Sequence, residues 1–148
     1  MSRNAVELLR SATFIPKLTA PSIPDGIETM LQAVAGNSAV LDLGSFREAV
    51  FERQKINPPL LPSGVAFPHA RTDAVRALLV AVATLAVPLP VGAINVRMMF
   101  LIGVPKSAAH EYLELMSFLT RHLRTASAVE ALCVITVEDE FLNALAAS

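Results

Sequence analysis

From Ala77 to Val96 the chain carries no charged residue, and a further apolar run follows from Val96 to Val104. An uncharged stretch of about 20 residues is long enough to cross a bilayer as a helix. Pro88 and Pro90 fall inside it, Gly92 and Asn95 follow, and β-branched valines crowd its first half. That pattern reads instead as two buried strand-like pieces, Ala77–Val87 and Val96–Val104, around a Pro-rich bend. Strands that are apolar without alternation are buried on both faces. Both faces then need helices, which predicts an α/β fold: a three-layer α/β/α sandwich with a small mixed β-sheet.

The rest of the chain supplies helical segments. Residues 4–10 carry Ala5, Val6, Leu8 and Leu9 at short helical spacing, and Thr13-Phe14-Ile15 reads as a brief strand ended by Pro16. Ser22-Ile23-Pro24-Asp25 is a helix start with proline in the first turn, where it loses no hydrogen bond. Ile27, Met30, Leu31 and Val34 continue that helix to Gly36-Asn37. A second helix is expected from Ser45 to Lys55. Residues 57–62, Asn-Pro-Pro-Leu-Leu-Pro, are expected to be loop, because proline breaks a helix interior. Gly64-Val65-Ala66-Phe67 is a short strand stopping at Pro68-His69. The C-terminal third is expected to cover the two faces with helices from Ser107 to Arg124 and Glu138 to Ala147, with a further turn or two over Ser127–Leu132. At 148 residues, with neither repeat nor linker, the chain reads as a single domain, 1–148.

Lys plus Arg number 12 and Asp plus Glu 13. That balance lacks the basic field nucleic-acid binding needs. Cys133 is the only cysteine. It excludes an internal disulfide and sits in an apolar stretch, as a buried, inert thiol would. Met1-Ser2-Arg3-Asn4 opens no signal peptide, since Glu7 and Arg10 interrupt any apolar core, so a cytoplasmic location without a membrane span is expected. The three histidines, His69, His110 and His122, lack the spacing of a helical metal motif, and no carboxylates cluster around them. No metal or cofactor is expected. His122, between Arg121 and Leu123, reads as a cap near a helix C-terminus.

His69 stands apart. It follows a proline at the end of a buried strand, where ligands gather in α/β sheets. Ala70 is expected to leave room beside the ring, and Arg71 is a cation two residues on. A neutral imidazole is a nucleophile near pH 7 without a metal.

Ser63-Gly64-Val65-Ala66-Phe67-Pro68-His69-Ala70-Arg71, with Val75 beyond it, resembles a known phosphorylation-site motif. It is that of enzyme IIA domains of the fructose–mannitol class in the bacterial phosphoenolpyruvate-dependent sugar phosphotransferase system, a class that includes a nitrogen-regulatory branch. Upstream, Ala49-Val50-Phe51-Glu52-Arg53-Gln54-Lys55 resembles the family's Arg-Glu-Lys helix end, and 16 positions separate Arg53 from His69. Tyr112-Leu113-Glu114-Leu115-Met116-Ser117 resembles its His-Leu-x-x-Leu helix start. The likeness spans about residues 5 to 146.

The resemblance implies that His69 accepts a phosphoryl group from the phosphohistidine of a small phosphocarrier protein, and passes it on or holds it as a signal. Arg53 would grip phosphoryl oxygens with its planar fork. With no transport module fused to it, the chain is expected to belong to the nitrogen-regulatory type, with a regulatory target as its partner. The alternatives are a sugar-specific component donating phosphate to a IIB protein, or a binding module without phosphorylation. Two departures stand out. Pro59-Leu60-Leu61-Pro62 occupies the place of the family's Thr-Gly-x-Gly stretch, and Tyr112 that of its second histidine. Ser107 is expected to cap the helix that follows. On that helix His110 and Tyr112 lie about 200° apart, so only one can face His69, and register favours Tyr112.

Overall fold

The structure is a computed structural model describing residues 3–148. Met1 and Ser2, which belong to the expected domain and to the stretch read for a targeting signal, lie outside the described residues. In chain order the elements are α1 (Ala5–Arg10), β1 (Thr13–Leu18), α2 (Ile23–Val34), α3 (Leu43–Gln54), β2 (Leu60–Leu61), β3 (Val65–Ala66) and β4 (His69–Arg71). They continue with β5 (Leu79–Val91), β6 (Ile94–Val104), a 3-10 turn (Lys106–Ala108), α4 (Ala109–His122), α5 (Ala126–Cys133) and α6 (Glu138–Ala147).

The two apolar runs form the antiparallel hairpin β5–β6 at the centre of the sheet, whose order is β1-β5-β6-β3-β2, with β4 also on β6. β1 runs parallel to β5, β3 and β4 run parallel to β6, and β2 is antiparallel to β3. The sheet is mixed, as expected. Side chains alternate across it. Val80, Val82, Phe100 and Ile102 point into one core, and Leu79, Ala81, Ala83, Met99 and Leu101 into the other. None of these nine exposes more than 4% of its surface, so both faces are covered. The three-layer sandwich follows.

The distribution of helices differs from expectation. The C-terminal helices do not divide between the faces: α4, α5 and α6 join α1 on the first face through Leu115, Leu119, Leu132, Phe141 and Leu145. The second face is covered by α2 and α3 through Ile27, Met30, Leu31, Phe46 and Val50. An apolar stripe shows that a helix must be covered, but not which face of the sheet covers it.

Prolines end fewer strands than expected. β1 runs through Pro16 because it is an edge strand, where a missing N–H leaves no partner unsatisfied. β5 runs through Pro88 and Pro90, and the chain reverses instead at Gly92-Ala93 between the paired Val91 and Ile94. Bonded and non-bonded pairs alternate from that turn, so Pro90, opposite Asn95, needs no N–H toward β6. On its other side β5 has no partner beyond Leu85. Gly92, at φ +60, takes the first central position of a two-residue hairpin loop, where glycine is preferred.

Leu60 and Leu61 also depart from the expected loop. They keep their N–H groups between flanking prolines and pair with Ala66 and Val65. α3 starts earlier than Ser45 because Asp42 caps it, accepting from the Ser45 N–H at 3.0 Å. Ser107 caps nothing. The chain turns at Pro105, whose carbonyl accepts from Ala108 N–H at 3.0 Å, so Ser107 lies inside the 3-10 turn and α4 starts without a side-chain cap.

Gly64 seats β3 on β6. Its φ is +103, and a Cβ there would stand 2.6 Å from the Asn95 carbonyl oxygen. Its own carbonyl accepts from the Arg97 N–H at 2.8 Å. Gly64→Ala is therefore expected to destabilise the fold by about 1–3 kcal/mol or more, read from urea unfolding midpoints. An unchanged midpoint would mean that the β2–β3 hairpin seats differently.

Candidate phosphoryl-acceptor site

The strand that carries His69 is broken. β3 pairs with β6 at Val65↔Met98 and Ala66↔Met99, and β4 resumes at His69↔Ile102. Pro68 lies in the gap, where its carbonyl accepts from the Ile102 N–H at 3.0 Å. The Phe67 carbonyl is outside the ladder with β6, and the His69 ring uses it. Nδ1 lies 2.9 Å from that oxygen. A carbonyl oxygen only accepts, so Nδ1 carries the proton and Nε2 the lone pair. Nε2 has no hydrogen-bond partner among the described residues and is not a buried orphan, so it keeps access to solvent.

His69 exposes only 8% of its surface. This burial lowers its pKa below the ordinary 6.5, while the Phe67 carbonyl opposes the shift and the charges of Arg53 and Arg71 add to it. The imidazole is neutral at neutral pH, as a nucleophile requires.

Contrary to the expectation from sequence, Ala70 does not make room beside the imidazole. It points to the opposite face, into the core that holds Phe46. Its partner across the ladder is Gly103, where a Cβ would come within 3.0 Å of the Phe46 ring. Two small residues side by side thus let Phe46 pack α3 down on β4. Phe46 and Val50 are both fully buried. Arg53 falls seven positions after Phe46, about 20° away around the helix, in the last turn of α3. One of its guanidinium nitrogens donates to the Ile56 carbonyl. The position is close enough for its charge to act on both the His69 and Tyr112 rings.

Tyr112 comes from the opposite layer. Its ring stacks on His69 with centroids 5.6 Å apart and planes inclined by 25°. Burial raises the phenol pKa above 10.0, with Arg53 and Arg71 partly offsetting that rise, so the group is a neutral O–H. His110 turns outward, with Nε2 3.2 Å from the Glu114 carboxylate one helical turn on. His122 closes the far end of α4, ten residues and about 15 Å along the helix from Tyr112. Its Nδ1–H donates to the Ser148 carbonyl at 2.7 Å. The site thus gathers His69, Arg53 and Tyr112, without His110 or His122.

Arg71 also lies beside the site, and sequence reading left it out of the site. Its signal was the two-residue spacing from His69 on one strand. Cys133 is buried, donates to the Arg97 carbonyl at 3.3 Å, and has its thiol pKa pushed up to about 11 by burial. Among the described residues no three or more His, Cys, Asp or Glu side chains gather to hold a metal ion. No helix there is long and apolar enough to cross a membrane.

The family model described as phosphoenolpyruvate-dependent sugar phosphotransferase system, EIIA 2, matches residues 7–148. The 2-O-alpha-mannosyl-D-glycerate-specific EIIABC component of the PTS system of Escherichia coli (strain K12) is 29% identical over 126 residues. That match covers 82% of this chain but only 19% of the relative's length. Nitrogen regulatory protein IIA-Ntr from Neisseria meningitidis has a similar crystal structure, with TM-score 0.80, 24% identity, and coverage of 95% of this chain and 97% of that one. The Escherichia coli complex of enzyme IIAMTL and phosphorylated enzyme IIBMTL contains a chain matching with TM-score 0.78 and 19% identity, covering 93% of this chain and 96% of that one. At these identities the two structures speak for the fold, while the family match spans nearly the whole sequence. The chain belongs to the EIIA 2 family of the phosphoenolpyruvate-dependent sugar phosphotransferase system.

Proposed function

We propose that His69 is the phosphoryl acceptor of this IIA domain and takes the group from the phosphohistidine of the phosphocarrier protein. The observation that carries the reading is the Nδ1–H bond to the Phe67 carbonyl, which leaves Nε2 unprotonated and open. In the transfer, the Nε2 lone pair forms the new N–P bond. The donor's N–P bond breaks, and its electron pair returns to the donor imidazole. Nδ1 keeps its proton throughout, so the step needs no general base. The Phe67 carbonyl stabilises the positive charge that the ring gains as the bond forms.

Phosphoryl transfer asks for alignment and cations rather than covalent help. A unit charge pair 4 Å apart is worth about 4 kcal/mol at an effective dielectric of 20. A neutral hydrogen bond nets about 1 kcal/mol. Arg53 therefore carries more of the stabilisation in this reading, and Tyr112 adds alignment and one phenolic donor. The segment Pro59-Leu60-Leu61-Pro62 supports the same weighting. Its prolines have no N–H to offer an anion, and the Pro59 carbonyl is occupied by the Phe67 N–H at 3.2 Å.

For the downstream step, one reading is a nitrogen-regulatory role in which the phosphorylated chain signals to a regulatory target, and the fold shared with IIA-Ntr is compatible with it. The relationship to the mannosyl-glycerate component supports a second reading, donation to a sugar-specific IIB partner. Mixing the phosphorylated chain with a IIB domain of that class separates them. Rapid loss of phosphate to IIB supports transport, and retention supports regulation.

Incubation with phosphoenolpyruvate, enzyme I and phosphocarrier protein should add one acid-labile phosphoryl group, seen by intact-mass measurement. His69→Ala should abolish the adduct. Phosphorylation that persists in His69→Ala would overturn the assignment, and an unmodified wild type would favour a binding module that keeps the fold without the chemistry.

Arg53→Lys keeps the charge but loses the planar fork, and should slow single-turnover transfer about tenfold with the fold intact. Tyr112→Phe should cost about three- to tenfold, the worth of one hydrogen bond, while His110→Ala should cost little. Larger damage from His110→Ala than from Tyr112→Phe would contradict the assignment of Tyr112 to the site.

A further inference from the structure

The geometry points to Arg71 as a second phosphate-gripping residue, which together with Arg53 forms a two-cation clamp over the His69 phosphoryl group. This deepens, and rests on, the reading of His69 as the acceptor. His69 and Arg71 are the first and third residues of β4, paired with Ile102 and Val104 of β6. Strand side chains alternate, so both project to the α4 side of the sheet. Their Cα atoms are about 7 Å apart at that spacing, a gap an arginine side chain can bridge to reach a group on Nε2.

Arg71 is exposed, and among the described residues its side chain makes no ion pair or hydrogen bond. An arginine beside a buried nucleophile and without a carboxylate has its full donor set free for an anion. The nearest acidic residue in sequence, Asp73, is taken up by the start of the 3-10 turn, where it accepts from the Lys106 N–H at 3.1 Å. The charge of Arg71 acts on the same two rings as that of Arg53.

The surroundings explain the need for a second cation. Tyr112 cannot become positive near neutral pH, and Pro59 and Pro62 remove two N–H groups from the segment ahead of β3. Arg53 shares its guanidinium with the Ile56 carbonyl. A phosphohistidine brings nearly two negative charges to this spot. Two guanidinium groups, one from α3 at the strand edge and one from β4 itself, would hold its equatorial oxygens from two sides.

Two measurements test the clamp. The first is single-turnover transfer from phosphorylated phosphocarrier protein at saturating donor, compared for wild type, Arg71→Gln and Arg71→Lys. The rate at saturation should fall about tenfold or more in Arg71→Gln and recover in part in Arg71→Lys. The second is a titration of the unphosphorylated chain with inorganic phosphate, followed by the ring resonances of His69 and Tyr112. Saturable shifts are expected in wild type and not in Arg71→Gln. A wild-type saturated rate together with unchanged phosphate shifts in Arg71→Gln would overturn the proposal, as would a change confined to the half-saturating donor concentration, which marks docking. Should the wild type take no phosphoryl group while phosphate shifts its rings in an Arg71-dependent way, the acceptor reading fails and the anion clamp stands.

Discussion

β6 has no free hydrogen-bonding edge over most of its length. β5 pairs with it from Val91↔Ile94 to Leu79↔Gly103, and β3 and then β4 line its other side from Val65↔Met98 to Arg71↔Val104. Leaving one buried backbone group unpaired costs about 1–3 kcal/mol. Once the hairpin is buried on both faces, its outer edge must therefore be paired as well. The short segment 65–71 meets that need, and its register carries His69 to a set place on the sheet. The helices then complete the enclosure, four on one face and two on the other.

The candidate site lies where the pairing is interrupted. Pro68 separates β3 from β4, and the carbonyl just before it is taken by the His69 ring. One backbone oxygen thus selects the tautomer and leaves Nε2 free. Two helices from opposite layers meet at this break. α3, drawn onto β4 by Phe46 against Gly103, delivers Arg53. α4, packed on the other face, delivers Tyr112. Among the described residues β4 pairs with β6 alone.

Much of this was legible in the sequence, because the uncharged runs of β5 and β6 demand cover on both faces. Ser22 with Pro24 marked α2, and the residues around His69 singled out the candidate site. The misread features share a cause. Pro16, Pro88 and Pro90 looked like strand ends, but proline stops a strand only where a neighbour needs its N–H, and that depends on the sheet order. Ser107 looked like a cap until Pro105 turned the chain ahead of it. Ala70 looked like space for the imidazole, yet strand alternation sends it to the other face, where it makes room for Phe46. The same alternation, applied two residues further, would have placed Arg71 beside His69. The partition of helices between faces had no local signal at all.

The central claim is that the Phe67 carbonyl and the burial of the ring hold His69 neutral, with its proton on Nδ1 and its lone pair on Nε2. Long-range proton–nitrogen NMR of the ring across a pH titration tests this directly. The account predicts a protonated Nδ1 and an unprotonated Nε2 at neutral pH, with a midpoint below 6.5. The sign extends to stability. Since the unfolded ring binds its proton first, folding stability contributed by the neutral ring is lost as pH falls from 6.5 toward the lower folded value. A midpoint above 6.5, or a proton on Nε2 in the neutral ring, would contradict it.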